Sequence, residues 1–187
     1  MATSNPATQA TVTVDQYRAF MSAFPTGVAV VTACSGAGHP CGMTCSSMTS
    51  VTLSPPTLLV CLRLGSRTES AVRRRGAFAV NLLHAQARRA AELFCAPIGD
   101  RFSGVRWNLS PSGLPWLSAD ACAWAECVVT EAVDVGDHAV MFGRVTCAVQ
   151  TADTPLLYGL RRYCAWDHLG PTARVPAALN QRWQEGA

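Results

Sequence analysis

Ala121-Cys122-Ala123-Trp124-Ala125-Glu126-Cys127-Val128-Val129-Thr130-Glu131-Ala132-Val133-Asp134 runs through Val135-Gly136-Asp137-His138 into Ala139-Val140-Met141-Phe142-Gly143-Arg144-Val145-Thr146-Cys147-Ala148-Val149-Gln150. Two long stretches rich in β-branched and small apolar residues flank a Gly-Asp turn, the signature of a long antiparallel hairpin. In the second arm Met141, Gly143, Val145 and Cys147 alternate with Arg144 and Thr146, so that one face is apolar and the other polar. A hairpin of this length needs partners on both sides, which points to a mainly antiparallel β architecture.

The segments upstream supply those partners. Thr13 and Gln16 form a capping box, and Tyr17, Phe20, Met21 and Phe24 recur at helical spacing up to a Pro25-Thr26-Gly27 turn. Residues 28–33 read as a strand, 35–40 as a hairpin loop, and 42–52 as one return strand. After Pro55-Pro56 a fully apolar strand covers 57–62. Ser66 and Glu69 suggest a second capping box on a helix reaching Arg75, ended by Gly76. A strand over 78–83 and a helix over 86–95 follow. Residues 96–117, rich in Gly, Pro and Trp, form a long irregular excursion of the functional kind. Strands outnumber helices and hairpins dominate, so the expected fold is an antiparallel barrel with a few peripheral helices. Residues 1–12 read as a disordered leader, 13–167 as one domain, and 168–187 as a tail with a helical pattern near 177–183.

Composition excludes several functions. The chain has 187 residues, 49% of them hydrophobic and 14% charged, enough for a substantial core. Its net charge of +3 rests on arginine alone, since no lysine occurs, and that removes Schiff-base chemistry. The basic run Arg73-Arg74-Arg75 complements a helix C-terminus and faces solvent, which is no nucleic-acid patch. No signal-peptide pattern or apolar membrane stretch is present. Nine cysteines without a Cys-x-x-Cys read as buried reduced thiols, with no metal site and a cytoplasmic setting. Gly36, Gly38 and Gly42 mimic a dinucleotide fingerprint, but the spacing is wrong and a strand follows.

The polar residues in apolar segments are the candidates for chemistry. Thr44, Ser46, Ser47, Thr49 and Ser50 place five hydroxyls in seven positions of a strand. Such density suits a wall of donors around a polar ligand. Ser66, Arg67 and Thr68 open a helix whose free N–H groups suit a phosphate. Asn81 lies in an apolar strand, where its amide requires a ligand or a network. Arg101-Phe102 pairs a cation with a ring for stacking, or anchors its loop. His138 sits in the Gly-Asp-His turn, beside an Asp137 that can fix its imidazole. No nucleophile motif or paired carboxylate appears, so any redox or group chemistry belongs to a cofactor.

Seven blocks, Pro25–Thr32, Gly42–Val51, Ser54–Pro56, Ser66–Thr68, Phe78–Leu83, Asp100–Phe102 and Gly136–His138, occur in an order that resembles the short-chain flavin reductases, the reductase partners of two-component flavin-dependent monooxygenases. The resemblance implies an FMN-binding split barrel, Greek-key-like, assembled as a homodimer. It implies reduction of FAD or FMN by NADH or NADPH and release of reduced flavin to an oxygenase, with FAD ahead of FMN. No arginine cluster is evident for a 2′-phosphate, which leans towards NADH. By position, Pro25, Thr26, Gly27, Thr44 and Cys45 would approach the isoalloxazine. Ser46, Ser47, Ser66, Arg67 and Thr68 would serve the ribityl and phosphate groups. Cys61, Leu62, Asn81 and Arg101 would be further flavin contacts. His138, as the catalytic residue, would lie at the nicotinamide side with Phe102 and Tyr163. The competing readings are a flavin carrier or redox sensor on the same barrel and, third, an oxidase of a small amine or pyridoxine-type substrate.

Overall fold

The structure, a computed structural model, describes residues 12–97, 99–150 and 154–166. The expected leader and C-terminal tail lie outside these residues, apart from Val12. Helix α1 spans Val14–Ser22, with the Thr13–Gln16 capping box formed in both directions. Strands β1 (Thr26–Gly27), β2 (Ala29–Cys34), β3 (Pro40–Cys45), β4 (Met48–Leu53) and β5 (Pro56–Arg63) follow. Then come α2 (Arg67–Arg75), β6 (Ala77–Leu83), α3 (Arg88–Cys95), the short ladder β7 (Asn108–Leu109) with β8 (Pro115–Trp116), β9 (Ala121–Val135) and β10 (His138–Gln150). The hairpin β11 (Leu156–Gly159) and β12 (Arg162–Ala165) pairs with β1 in a small separate sheet.

Seven strands form one antiparallel sheet in the order β3-β2-β6-β9-β10-β5-β4. Its two edge strands, β3 and β4, are joined by Ser46 and Ser47 alone. In a flat sheet of seven strands the edges would stand ~29 Å apart at ~4.8 Å per strand. Three Cα steps reach at most ~11 Å. The sheet therefore has to roll up. β5 completes the closure: it pairs with β4, the Cys61 amide donates to the Ser47 carbonyl at 3.0 Å, and the Cys45 thiol donates to the Cys61 carbonyl. The antiparallel barrel is as expected, but the single strand over 42–52 is not. The hydroxyl-rich stretch is two strands on opposite sheet edges, stitched at Ser46-Ser47.

The β9–β10 hairpin forms as read from the alternation, with Met141 and Gly143 buried and Arg144 and Thr146 exposed. Its turn is shorter than expected: Gly136 takes φ +58° and Asp137 completes it, so His138 begins strand β10. Gly143 sits where the β9–β10 register shifts, and a Cβ there would stand 2.5 Å from Phe78 Cζ. Only glycine allows that approach.

β2 is buried on both faces, which explains its unbroken apolar sequence. Ala29, Val31 and Ala33 face the barrel interior with Leu62, Phe78 and Met141. Val28 and Val30 contact a second cluster with Leu83, Phe94, Phe102 and Leu117, beneath α3. Asn81 is fully buried between these layers. Its amide donates to the Val30 carbonyl at 3.0 Å and to Thr32 Oγ1 at 3.2 Å, and its oxygen accepts from the Leu117 amide at 2.8 Å. α2 ends as expected at Gly76 in the left-handed conformation. The Ser66 box forms only by half: Ser66 Oγ accepts from the Glu69 amide, but the Glu69 carboxylate accepts from the Gly65 amide instead of closing on Ser66. Helix α1 differs from the others in burying none of its residues. No described helix is long and apolar enough to cross a membrane.

Two substitutions test this packing. Gly143→Ala forces Phe78 to shift and is expected to cost ~1–3 kcal/mol, read as a lower thermal midpoint. Asn81→Ala strands the Leu117 amide at a cost of ~1–3 kcal/mol, or a fall of ~2–10 °C in Tm for a chain of this size. An unchanged Tm in either variant contradicts the packing described.

Candidate functional site

The closing stitch separates two clefts. The first, of 540 Å³, lies between β3, the β5–α2 turn and the segment following α3. Gly42, Thr44, Arg63, Ser66, Arg67, Thr68, Arg101 and Phe102 line it. The second, of 820 Å³, lies between α1, β1, the stitch and the β11–β12 hairpin. Thr26, Ser46, Ser47, Cys61 and Tyr158 line it, with Tyr17 and Phe24.

The first cleft has the donors and positive charge that suit an anion. α2 begins there, and its first-turn N–H groups have no intrahelical acceptor. Ser66 takes up the Glu69 amide as N-cap, leaving the Arg67 and Thr68 amides at the helix start. Arg63 and Arg67 supply cationic side chains. Three bonds fix the turn before the helix. The Ser66 amide donates to the Arg63 carbonyl, the Gly65 amide to Glu69, and the Leu64 amide to the Asp137 carbonyl at 2.9 Å. Glu69 is itself buried and accepts from Arg73, which also donates to Asp134 on β9. Across the cleft, Gly42 is closely packed: a Cβ would stand 3.0 Å from Phe94 Cε1 and 3.1 Å from the Val31 carbonyl oxygen, so a side chain there would push both back.

Several candidate residues have structural work in the walls. Thr44 Oγ1 donates to the Ala91 carbonyl at 2.6 Å, holding α3 against β3. Arg101 donates to the Ala96 carbonyl and, at 2.8 Å, to the Gly42 carbonyl, pinning the excursion to the cleft rim. Phe102 is buried edge-on against Phe94 and Trp107, at centroid distances of 5.1 and 5.4 Å, so its ring is an anchor. Cys45 is buried, and burial pushes its thiol up to about 11, which keeps it protonated at neutral pH.

The other candidates are distributed unevenly. Thr26 lies in the second cleft; Pro25 packs on Gly159 beside it, and Gly27 is exposed on β1. Ser46 and Ser47 belong with Thr26 at the second cleft and not with Ser66, Arg67 and Thr68 in the first. Pro25, Gly27 and the buried Cys45 line neither cleft, and two further residues expected to touch the ligand are taken up by the core. Leu62 is a core side chain, fully buried with Val60 and Met141. Asn81 is buried in the network described above, so the alternative of a network holds for it and the ligand contact does not.

The three residues assigned to a common nicotinamide side are not brought together. His138 pairs in register with Arg63 and so stands beside the first cleft without lining it. Its Nδ1 lies 2.8 Å from Asp137 Oδ1, and this contact holds the Asp137 carboxyl below the usual carboxylate range. Tyr163 packs on Tyr158 at 5.0 Å, with the Arg88 guanidinium over its ring. Phe102 serves the first cleft. Arg63 and Gly42 line that cleft too, and neither was singled out from the sequence. Gly42 has a signal in hindsight, as a glycine inside a strand marks a close approach. Among the described residues no His, Cys, Asp or Glu cluster could hold a metal ion.

Residues 21–167 match the flavin reductase like domain. A flavin reductase (NADPH) from Lentzea aerocolonigenes is 56% identical over 156 residues, covering 83% of this chain and 91% of that protein. The NADH:FAD oxidoreductase of Streptomyces globisporus, solved with NAD and FAD fragments, superposes with a TM-score of 0.76 at 34% identity, covering 85% of this chain and 94% of the other. The styrene monooxygenase flavin reductase from Pseudomonas putida gives a TM-score of 0.73 at 33% identity, with 79% and 95% covered. With a barrel closed by a hydroxyl-bearing stitch and a helix start facing the cleft beside it, the chain belongs to the flavin reductase family, the NAD(P)H-dependent enzymes that include reductase components of flavin-dependent monooxygenases.

Proposed function

We propose that the flavin lies across the Ser46-Ser47 stitch, with its phosphate end in the first cleft and its ring in the second. The observation that carries this reading is a juxtaposition. Thr44 lines the first cleft and Ser46, two residues on, lines the second. Each cleft has a volume typical of ligand pockets. The donor set fits the group: helix-start amides, Ser66, Arg63 and Arg67 for phosphate, and Thr26, Ser46 and Ser47 for a polar heterocycle. When bound, flavin supplies the ring that accepts hydride from reduced nicotinamide. The chain's own part is orientation and exclusion of water, and no acid–base residue is required of it. The role of Thr44 shifts accordingly, from the ring to the phosphate end, and that of Ser46 and Ser47 in the opposite direction.

The reduced flavin then diffuses to a partner oxygenase. Because the relatives named above include both an NADPH and an NADH enzyme, either coenzyme is a candidate donor. Free thiols at Cys41, Cys45 and Cys61 suit the reducing cytoplasm where NAD(P)H is found. The outward apolar face of α1 and the segment after it, with Phe20 74% exposed and Phe24 64%, supports a homodimer in which a second copy covers the second cleft. The chain is expected to sediment as a dimer, and a monomer at micromolar concentration contradicts that assembly.

Anaerobic stopped-flow tests the reaction, with the protein mixed with FMN or FAD and with NADH or NADPH. Rapid bleaching of the flavin's visible band is expected with at least one pair. Bleaching with none rejects the reductase reading, and tight flavin retention without turnover favours a carrier. His138 stands beside the first cleft and not the second, so His138→Ala is expected to leave turnover within about twofold of wild type. A large loss of turnover at unchanged flavin affinity would put the nicotinamide beside His138 and contradict the placement of the ring in the second cleft.

A further inference from the structure

The β11–β12 hairpin turns through Leu160 and Arg161, which both hold positive φ, at 49° and 58°. Asn-Gly or Asp-Gly normally fills such a turn, because larger side chains are strained in left-handed backbone. Strain of this kind persists only where the surroundings over-determine the backbone, and it collects at ligand sites. Here two contacts wedge the turn. The Leu160 amide donates to the Ser22 carbonyl at the end of α1, at 2.6 Å. Gly159 lies so close to Pro25 that an added Cβ would meet the Pro25 Cβ at 3.1 Å.

Arg161 lines the second cleft, beside Thr26, Tyr158 and Arg18. Arg18 already has Asp15 at 3.6 Å. Arg161 has no hydrogen-bond or ion-pair partner among the described residues. A glycine would make the same turn without strain, so the arginine contributes something the turn itself does not need. A planar guanidinium at the rim of a cleft matches phosphate oxygens two at a time.

We propose that Arg161 is a binding residue for the nicotinamide coenzyme, holding one of its phosphates at the mouth of the second cleft. The phosphate is either the pyrophosphate shared by NADH and NADPH or the 2′-phosphate that NADPH alone carries. The proposal rests on the reading that the second cleft receives the flavin ring and therefore the nicotinamide.

Steady-state kinetics with saturating flavin test it in Arg161→Gly, Arg161→Asn and Arg161→Lys. Glycine and asparagine both tolerate the left-handed turn, so Tm is expected to hold or rise in these two variants. Their coenzyme KM is expected to rise about tenfold, the loss of one charge-assisted contact, while kcat and the flavin KM change less than twofold. Lysine, which keeps the charge but not the planar fork, is expected to recover only part of the affinity. A rise with both coenzymes assigns the pyrophosphate, and a rise confined to NADPH assigns the 2′-phosphate. Unchanged KM for both coenzymes in an otherwise active enzyme overturns the proposal and leaves the reductase reading intact. A wild-type protein that oxidises neither coenzyme with any flavin brings down both.

Discussion

Two serines hold the two edges of a seven-stranded sheet together, and the rest of the structure depends on that short connection. A link of two residues cannot cross the width of an open sheet, so it imposes the barrel. Closure aligns the ends of β3 and β5, sets the start of α2 beside Gly42 and Thr44, and opens a cleft on each side of the stitch. The polar character of the stretch follows from the same geometry. Ser46 and Ser47 leave both edge strands and are exposed, so they need no apolar side chains. A barrel closed by valines at these positions would retain its topology and lose the donors at the junction of the clefts.

The α2 end of the first cleft is held by bonds that reach across the fold. Gly65, Ser66 and Leu64 are fixed by Glu69, Arg63 and Asp137 respectively, and Glu69 continues through Arg73 to Asp134 on β9. The β9–β10 hairpin therefore braces the α2 start from behind. On the other wall, Thr44 and Arg101 tie α3 and the excursion to β3 by donating to backbone carbonyls. Preorganisation of this kind matters for a reductase, because a misplaced ring costs rate even when affinity is unchanged.

Local signals made much of the fold legible. Alternation in 139–147 exposed the long hairpin, Thr13 and Gln16 marked a helix start, and Gly76 marked a helix end. What stayed hidden depends on partners distant in sequence. The split at Ser46-Ser47 leaves no break in period, because hydroxyls continue on both sides. Asn81 reads equally well as a ligand contact or a network member until Leu117, 36 residues away, is seen to donate to it. Tyr163 belongs with Tyr158 and Arg88, a grouping set by the β11–β12 pairing and α3 that no spacing reveals. The helical stripe of α1 announced an amphipathic helix correctly, yet its apolar side faces away from the protein's own core.

The central claim is that one flavin bridges both clefts over the stitch, and a crystal structure of the protein with FMN or FAD tests it most directly. The account predicts the flavin phosphate within hydrogen-bond reach of the Arg67 and Thr68 amides and the ring against Thr26, Ser46 and Ser47. A flavin whose phosphate lies away from the α2 start, or whose ring avoids the second cleft, would contradict it.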